Sequence, residues 1–317
     1  MRLLSGEEVR DLLPMRLLIE QLRGAFMKPC VSPGRQLTTI PGGSGDRLLL
    51  YMPACDSEGG AVAKVVTVFP DNPARGLPTV QAVLVVFSAT GMPVAVLDGA
   101  MVTRMRTAAA SALASSYLSR EDSAHLLIVG TGSLAPYMAW GHCTVRPIRR
   151  VSVAGRNERR AFATVEQIRS LVGAHVQVER AVSVEEAVAE ADVISCATST
   201  TAPILQGAWI RPGTFIDLVG SFSPTKREAD DEAVLRSRLF VDTFEGALSE
   251  AGDLLDPIRR GVMDRERIEG ELADLVAGRV AGRGAPDEIT LFKSVGSSIE
   301  DWAAARLAIA QIGANGK

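Results

Sequence analysis

Two groups of residues in this chain have types and spacings that could do chemistry. The first is a glycine turn. Residues 126–145 read Leu-Leu-Ile-Val-Gly-Thr-Gly-Ser-Leu-Ala-Pro-Tyr-Met-Ala-Trp-Gly-His-Cys-Thr-Val, so a short apolar run ends in Gly130-x-Gly132-x-x-Ala135 and passes into a helix-like stretch. A second apolar run follows and ends in Ala154-Gly155-Arg156-Asn157. Strand, glycine turn, helix and strand in this succession form the dinucleotide-binding pattern, in which a pyrophosphate sits on the free N–H groups of a helix N-terminus. Gly130 permits the tight turn, Gly132 has no side chain to block a phosphate, and Ala135 is small enough for the helix to pack close to the sheet. Thr131, Ser133 and Leu134 complete the cradle. A tight turn without a nucleotide would use the same glycines. A membrane span is the other alternative, because 126–145 holds no Asp, Glu, Lys or Arg; its three glycines, proline and hydroxyls argue against one.

The end of the second strand bears on the choice of coenzyme. An acid there would bind the ribose 2′-hydroxyl of NAD. This chain has Arg156 and Asn157, with Arg159 and Arg160 close behind. A guanidinium holds a 2′-phosphate by charge-assisted hydrogen bonds, so NADPH is expected as the preferred coenzyme, with NADH possible. Arg159 and Arg160 would look the same on a solvated helix face. Thr198, after the fourth strand of the alternating pattern, is expected on the coenzyme side; a polar loop hydroxyl is the alternative.

The second group is cationic. Lys64 lies inside Ala61-Val62-Ala63-Lys64-Val65-Val66, where burial is costly without a partner. Arg106 lies in Thr103-Arg104-Met105-Arg106-Thr107, and Arg35 follows Pro33-Gly34. Singly, each reads as a surface charge or a structural ion pair. Together they suggest a pocket for a small carboxylate.

The elements that must position these groups follow from the pattern. A length of 317 residues suggests two domains, or one with a large elaboration. Ser5-x-x-Glu8 is a capping box, and Pro14 starts a helix with apolar Leu17, Leu18, Ile19, Leu22 and Phe26. Strand-like runs follow at 48–52, 61–69, 79–87 and 93–97, with turns at Gly42-Gly43-Ser44-Gly45 and Ala89-Thr90-Gly91. Residues 103–118 read as an Ala-rich helix. Strands at 125–129, 150–154, 175–179, 192–196, 214–219 and 238–242 then alternate with helices, which implies an α/β fold with a Rossmann-type, doubly wound parallel sheet. A last strand, 289–293, precedes an Ala-rich helix reaching about residue 312, which is expected to cross back to the first domain. The expected division is 1–118 with 297–317, an α/β domain, and 119–296, an NAD(P)-binding domain.

Composition narrows the partners. A net charge of −3 implies no general affinity for nucleic acid or an anionic membrane. Cys30, Cys55, Cys143 and Cys196 form no C-x-x-C pair, and His125, His142 and His175 share no metal-ligand spacing with them, so no metal is expected. Charged Glu7, Glu8, Arg10 and Asp11 precede any long apolar run, which is unlike a signal peptide, and a cytoplasmic setting is the default.

These residues, in these settings, resemble the ornithine cyclodeaminase/mu-crystallin family. The resemblance runs collinearly through Tyr51-Met52-Pro53, Lys64-Val65-Val66, Pro70-Asp71-Asn72-Pro73, Gly76-Leu77-Pro78-Thr79-Val80, Thr90-Gly91-Met92-Pro93 and Leu97-Asp98-Gly99, then Thr103 to Ala109, Gly130-Thr131-Gly132 and Phe292-Lys293-Ser294-Val295-Gly296. It implies that 1–118 with 297–317 is the α/β substrate-binding and dimerisation domain, with a homodimer built through its sheets. It implies that Arg35, Lys64 and Arg106 face a substrate carboxylate, that Thr79 lines the same site, and that Val295 and Gly296 line the nicotinamide end. Deaminating members carry an aspartate in a Gly-x-Asp-x-Pro-type segment; here Gly220-Ser221-Phe222-Ser223-Pro224 puts Phe222 in its place. Together with Leu134-Ala135-Pro136 and Val145-Arg146-Pro147, this is similar to the branch of Δ1-pyrroline-2-carboxylate and Δ1-piperideine-2-carboxylate reductases, with Lys64 or a bound water as candidate proton donor. Phe222 is then expected to form an apolar pocket wall, unless it turns into the core and Ser221 or Ser223 faces the substrate. An ornithine cyclodeaminase, an alanine-type amino-acid dehydrogenase and a non-catalytic, NADPH-dependent ligand-binding protein like the crystallin remain alternatives.

Overall fold

The computed structural model describes residues 1–42 and 47–315. The Gly43-Ser44-Gly45 part of the expected first turn lies outside the described residues; Gly42 has a φ of +92°. The chain divides into two compact units, Met1–Arg106 with Ser297–Lys317, and Thr107–Gly296.

The first unit contains β1 (Arg2–Leu4), α1 (Gly6–Asp11), α2 (Met15–Phe26), β2 (Cys30–Val31), β3 (Gln36–Ile40), β4 (Arg47–Asp56), β5 (Ala61–Val68), β6 (Val80–Phe87) and β7 (Pro93–Asp98). α3 (Gly99–Leu118) begins here, and the division between the units falls within it. The strands form one sheet in the order β1-β7-β6-β5-β4-β2, with β3 also paired to β4. The capping box forms as expected: Glu8 N donates to Ser5 Oγ and Ser5 N donates to Glu8 Oε2. α2 buries Met15, Leu18, Ile19, Leu22 and Phe26, whereas Leu17, expected on the apolar face, is 47% exposed. The C-terminal helix (Ser298–Asn315) packs on α2, β4 and β5. β5 alternates strictly, with Val62, Lys64, Val66 and Val68 on the buried face. α3 starts one turn earlier than its Ala-rich run, because Asp98 Oδ1 accepts the Met101 N–H at 2.7 Å.

The second unit runs β8 (His125–Val129), α4 (Ala135–Val145), β9 (Arg150–Ala154), α5 (Glu158–Leu171), β10 (Gln177–Arg180), α6 (Val184–Glu190), β11 (Val193–Cys196), β12 (Phe215–Leu218), α7 (Asp231–Leu235), β13 (Arg238–Val241), α8 (Phe244–Glu250), α9 (Gly252–Arg259), β14 (Ile268–Glu271), α10 (Leu272–Ala277) and β15 (Thr290–Lys293). Its eight strands are all parallel, in the order β10-β9-β8-β11-β12-β15-β13-β14. This is the doubly wound sheet expected from the alternation. Its order reverses between β8 and β11, and ligands of such sheets bind at the carboxyl ends of the strands flanking that switch. β14 was not expected: only Ile268 and Gly270 of its four residues are buried, so it has no apolar run to read. The core is aliphatic and includes Leu127, Val129, Ile194, Leu218, Leu239 and Leu291.

Candidate active site

In the second unit the glycine turn leaves β8 at the switch point. Gly130 has a φ of +125°, which L side chains rarely adopt, and its N–H donates to Ala154 O at 2.9 Å. A β-carbon there would stand 2.5 Å from the Ala197 carbonyl oxygen. Gly132 is the opposite case: a β-carbon would meet nothing within 4 Å. The first glycine is needed by the protein's own backbone, whereas the second leaves open space. Thr131 is partly buried against Gly155, and Ser133 is exposed. No side chain caps α4, whose first residue is Ala135. An open cradle before an uncapped helix N-terminus fits a pyrophosphate.

Arg156 and Arg159 are exposed at the carboxyl end of β9, as a 2′-phosphate contact requires. Asn157 acts locally, where its Oδ1 accepts the Arg160 N–H at 2.9 Å and caps α5. Thr198 donates both its N–H and its hydroxyl to Glu228 Oε1, at 2.7 and 2.8 Å. Val295 and Gly296 are held by Asp242, whose Oδ2 accepts Val295 N at 2.8 Å, Gly296 N at 2.5 Å and Ser294 Oγ at 2.9 Å. Glu228 and Asp242 escaped sequence reading, since a single acid in an α/β loop carries no signal.

The Phe222 ring is partly buried against the apolar core of the second unit, with Lys226 Nζ 5.8 Å from the ring centroid. Ser221 is buried, and its hydroxyl donates to Lys226 O at 2.5 Å. Hydrophobic contact holds this side of the ring on the core.

In the first unit the cations form a buried knot. Lys64, on the inner face of β5, is 1% exposed; its Nζ lies 2.7 Å from Asp301 Oδ2 and 2.8 Å from Oδ1. Arg106, on α3, donates from Nη1 to Glu300 Oε2 at 2.7 Å and from Nε to Asp301 Oδ1 at 3.2 Å. Both acids are fully buried, in the first turn of the C-terminal helix. Burial pushes the Lys64 ammonium down to about 8; the Asp301 carboxylate opposes this, and the charges of Arg106 and Arg35 add to it. Arg35 is partly buried just before β3 and lies close enough for Lys64 to feel its charge. Thr79 is partly buried at the head of β6, where its carbonyl accepts the Phe69 N–H; it takes no part in the ion pairs of Lys64 and Arg106.

Among the described residues, no group of three or more His, Cys, Asp or Glu side chains could hold a metal ion, and no helix is long and apolar enough to cross a membrane.

Comparison with known proteins places this arrangement. The chain is 38% identical over 316 residues to the Δ1-pyrroline-2-carboxylate reductase of Colwellia psychrerythraea, covering 98% of this chain and 99% of that protein. The Δ1-pyrroline-2-carboxylate reductase of Thermococcus litoralis, solved in complex with NADH and L-proline, superposes with a TM-score of 0.94 at 36% identity, over 100% of this chain and 98% of that one. An archaeal alanine dehydrogenase dimer with bound NAD superposes with a TM-score of 0.90 at 29% identity, over 100% of this chain and 97% of that one. The model of the ornithine cyclodeaminase/mu-crystallin family matches residues 2–315. The chain belongs to the ornithine cyclodeaminase/mu-crystallin family.

Proposed function

We propose that this protein reduces cyclic imino acids, Δ1-pyrroline-2-carboxylate to L-proline and Δ1-piperideine-2-carboxylate to L-pipecolate, with NADPH as the preferred coenzyme. The chain is an NAD(P)H-dependent oxidoreductase acting on carbon–nitrogen double bonds. Lys64 is the observation that carries the substrate reading. A cyclic imine is a good hydride acceptor only when protonated, and a buried lysine brought down to about 8 holds its proton at neutral pH yet can release it. Arg106 and Arg35 supply cationic charge for the carboxylate, each charged hydrogen bond contributing about 1.5–3 kcal/mol. When bound, the coenzyme supplies the hydride. Gly130 and Gly132 shape its cradle, Arg156 and Arg159 are its 2′-phosphate contacts, Thr198 stands on the coenzyme side, and Val295 and Gly296 line its nicotinamide end. The unit of Met1–Arg106 with Ser297–Lys317 is the substrate and dimerisation domain, and that of Thr107–Gly296 the coenzyme domain.

We further propose a cytoplasmic homodimer. The outer face of the first unit's sheet supports it: Tyr51, Val65 and Val83 stand in register across β4, β5 and β6, and Leu49, Tyr51 and Val83 are exposed. A face so apolar on an outer sheet suits a self-complementary contact.

NADPH oxidation against a panel of cyclic and linear imino acids tests the function, alongside ornithine with NAD(P)+ assayed for ammonia and proline. Rapid turnover of the two cyclic imines without ammonia release from ornithine is expected. Efficient proline formation from ornithine would return the protein to the cyclodeaminases, and tight coenzyme binding without any turnover would make it a crystallin-like binding protein.

A further inference from the structure

We infer that Glu228 is a positioning residue for the coenzyme: its buried carboxylate ties together the two loops that wall the coenzyme crevice beside the glycine turn. This rests on the second unit being the coenzyme unit, not on the identity of the imine.

The loops in question leave the carboxyl ends of β11 and β12, next to β8 at the switch point. Backbone N–H groups that leave a parallel ladder need new acceptors. Here two of them, with one hydroxyl, converge on a single side chain. Glu228 Oε1 accepts the N–H and the Oγ1–H of Thr198 at 2.7 and 2.8 Å, and Oε2 accepts the Gly220 N–H at 2.7 Å. The fit is close. A β-carbon at Gly220 would overlap the backbone N and O of Thr198 and Oε1 of Glu228, so only glycine lets the two loops and the carboxylate meet. Glu228 is fully buried.

Behind it the carboxylate's own backbone is fixed. Asp253, in α9, accepts the N–H groups of Glu228 and Ala229 on Oδ1, at 2.6 and 3.1 Å. Asp253 Oδ2 pairs with Lys293 Nζ at 3.0 Å, and both side chains are fully buried. Lys293 is the last residue of β15. Residues of α9, of β15 and of the loop after β12 thus converge beneath the loop ends.

In front of it stands the coenzyme turn. The Ala197 carbonyl and the Thr198 methyl lie 2.5 and 3.4 Å from where a β-carbon of Gly130 would be, so the loop that Glu228 holds is the loop on which the glycine turn rests. Releasing Thr198 from Glu228 therefore moves the wall of the crevice without touching a residue of the cradle.

The arrangement needs an acceptor-only side chain. A neutral carboxyl or an amide puts a donor against the Gly220 N–H or the Thr198 donors and opens one of the ties. Burial pushes Glu228 up to about 7; Asp253 adds to this, while Lys293 and the Thr198 hydrogen bonds oppose it. The buried Cys196 thiol on β11 is also coupled to it; burial and the Glu228 charge hold that thiol well above its usual range and so keep it neutral. Coenzyme affinity should accordingly fall as the pH drops through about 7.

Equilibrium binding of NADH, followed by its fluorescence with no imine present, tests this. NADH lacks the 2′-phosphate, whose own titration would confuse the profile. The wild type should bind about tenfold more weakly at about pH 6 than at about pH 8, and Glu228→Gln should bind more weakly than wild type at about pH 8 with a flat profile. In steady state the KM for NADH should rise while the KM for the imine stays. A Glu228→Gln protein with wild-type NADH affinity and a wild-type profile would overturn the proposal. Should that variant not fold, the wild-type profile decides: NADH affinity that does not change between about pH 6 and about pH 8 would overturn it equally. None of the binding measurements requires turnover, so failure of the imine reading leaves this test intact.

Discussion

Lys64 Nζ lies within 2.8 Å of both carboxylate oxygens of Asp301, a residue 237 positions further along the chain, and both side chains are closed off from solvent. Such a pair adds little stability beyond what an apolar pair of the same volume would give. Its effect is to keep an ammonium charged in a place that would otherwise strip its proton. Burial lowers the Lys64 pKa to about 8, and the Asp301 carboxylate is the main force raising it again.

The pH profile of imine reduction should report this balance. With Lys64 as proton donor, kcat/KM should fall as the pH rises through about 8. Asp301→Asn removes the charge that favours the ammonium, so the fall should move to lower pH. Lys64→Met should abolish the dependence along with most of the rate. A wild-type profile whose alkaline limb is unchanged in Asp301→Asn would assign the proton to another group. Stability should move in the opposite sense. The unfolded chain holds the Lys64 proton up to about 10.5, so between about 8 and 10.5 the native state gains on the unfolded one as pH rises.

Arg106 carries two loads, and its variants should separate them. Arg106→Ala should cut kcat/KM for the imine by about two orders of magnitude while NADPH binding survives. It should also cost about 3–5 kcal/mol of stability, because Glu300 and Asp301 are left buried with less compensation. Arg106→Lys keeps the charge but loses the fork that reaches both acids. It should melt closer to wild type yet remain slow. Normal imine kinetics in either variant would place the carboxylate elsewhere.

How much of the fold and the site is legible in the sequence depends on whether the signal is local. Strands β8, β9 and β11 announce themselves as apolar runs at regular intervals, and the glycine turn by its spacing. β14 gives no such notice, since Ile268-Glu269-Gly270-Glu271 alternates charge with a residue that has no side chain. Lys64 and Arg106 stand out because a cation inside an apolar run is costly. Their partners do not: Glu300 and Asp301 are two acids in the first turn of a helix, where the macrodipole favours acids in any protein. Only the topology brings that turn to β5 and α3. Phe222 shows the converse limit. Its position in the chain can be matched to a motif, but the direction of its ring depends on the fold, which turns it against the core.

Arg156 should decide coenzyme preference. It is exposed at the end of β9, where an acid would instead bind a ribose 2′-hydroxyl. Arg156→Asp should raise the KM for NADPH and spare NADH, inverting or erasing the ratio of kcat/KM values for the two coenzymes. An unchanged ratio would make Arg156 an ordinary surface charge and leave the 2′-phosphate to Arg159 or to no residue.

The two glycines of the turn should fail in different ways, and the difference isolates the cradle. At Gly130 an alanine meets a φ of +125° and a backbone carbonyl 2.5 Å from its β-carbon. Strain of this kind costs about 1–3 kcal/mol even before the clash is relieved, so Gly130→Ala should lower Tm and weaken coenzyme binding together. At Gly132 an alanine meets nothing within 4 Å. Gly132→Ala should therefore leave Tm where it is in the coenzyme-free protein. If a pyrophosphate occupies the space above this residue, the added methyl stands in its way, and affinity for NADPH and NADH should fall by the same factor because both carry the same pyrophosphate. The Tm increase that saturating coenzyme gives the wild type should shrink accordingly. Wild-type affinity in Gly132→Ala would mean that the phosphates approach from another side, and that the second glycine is an accident of the turn.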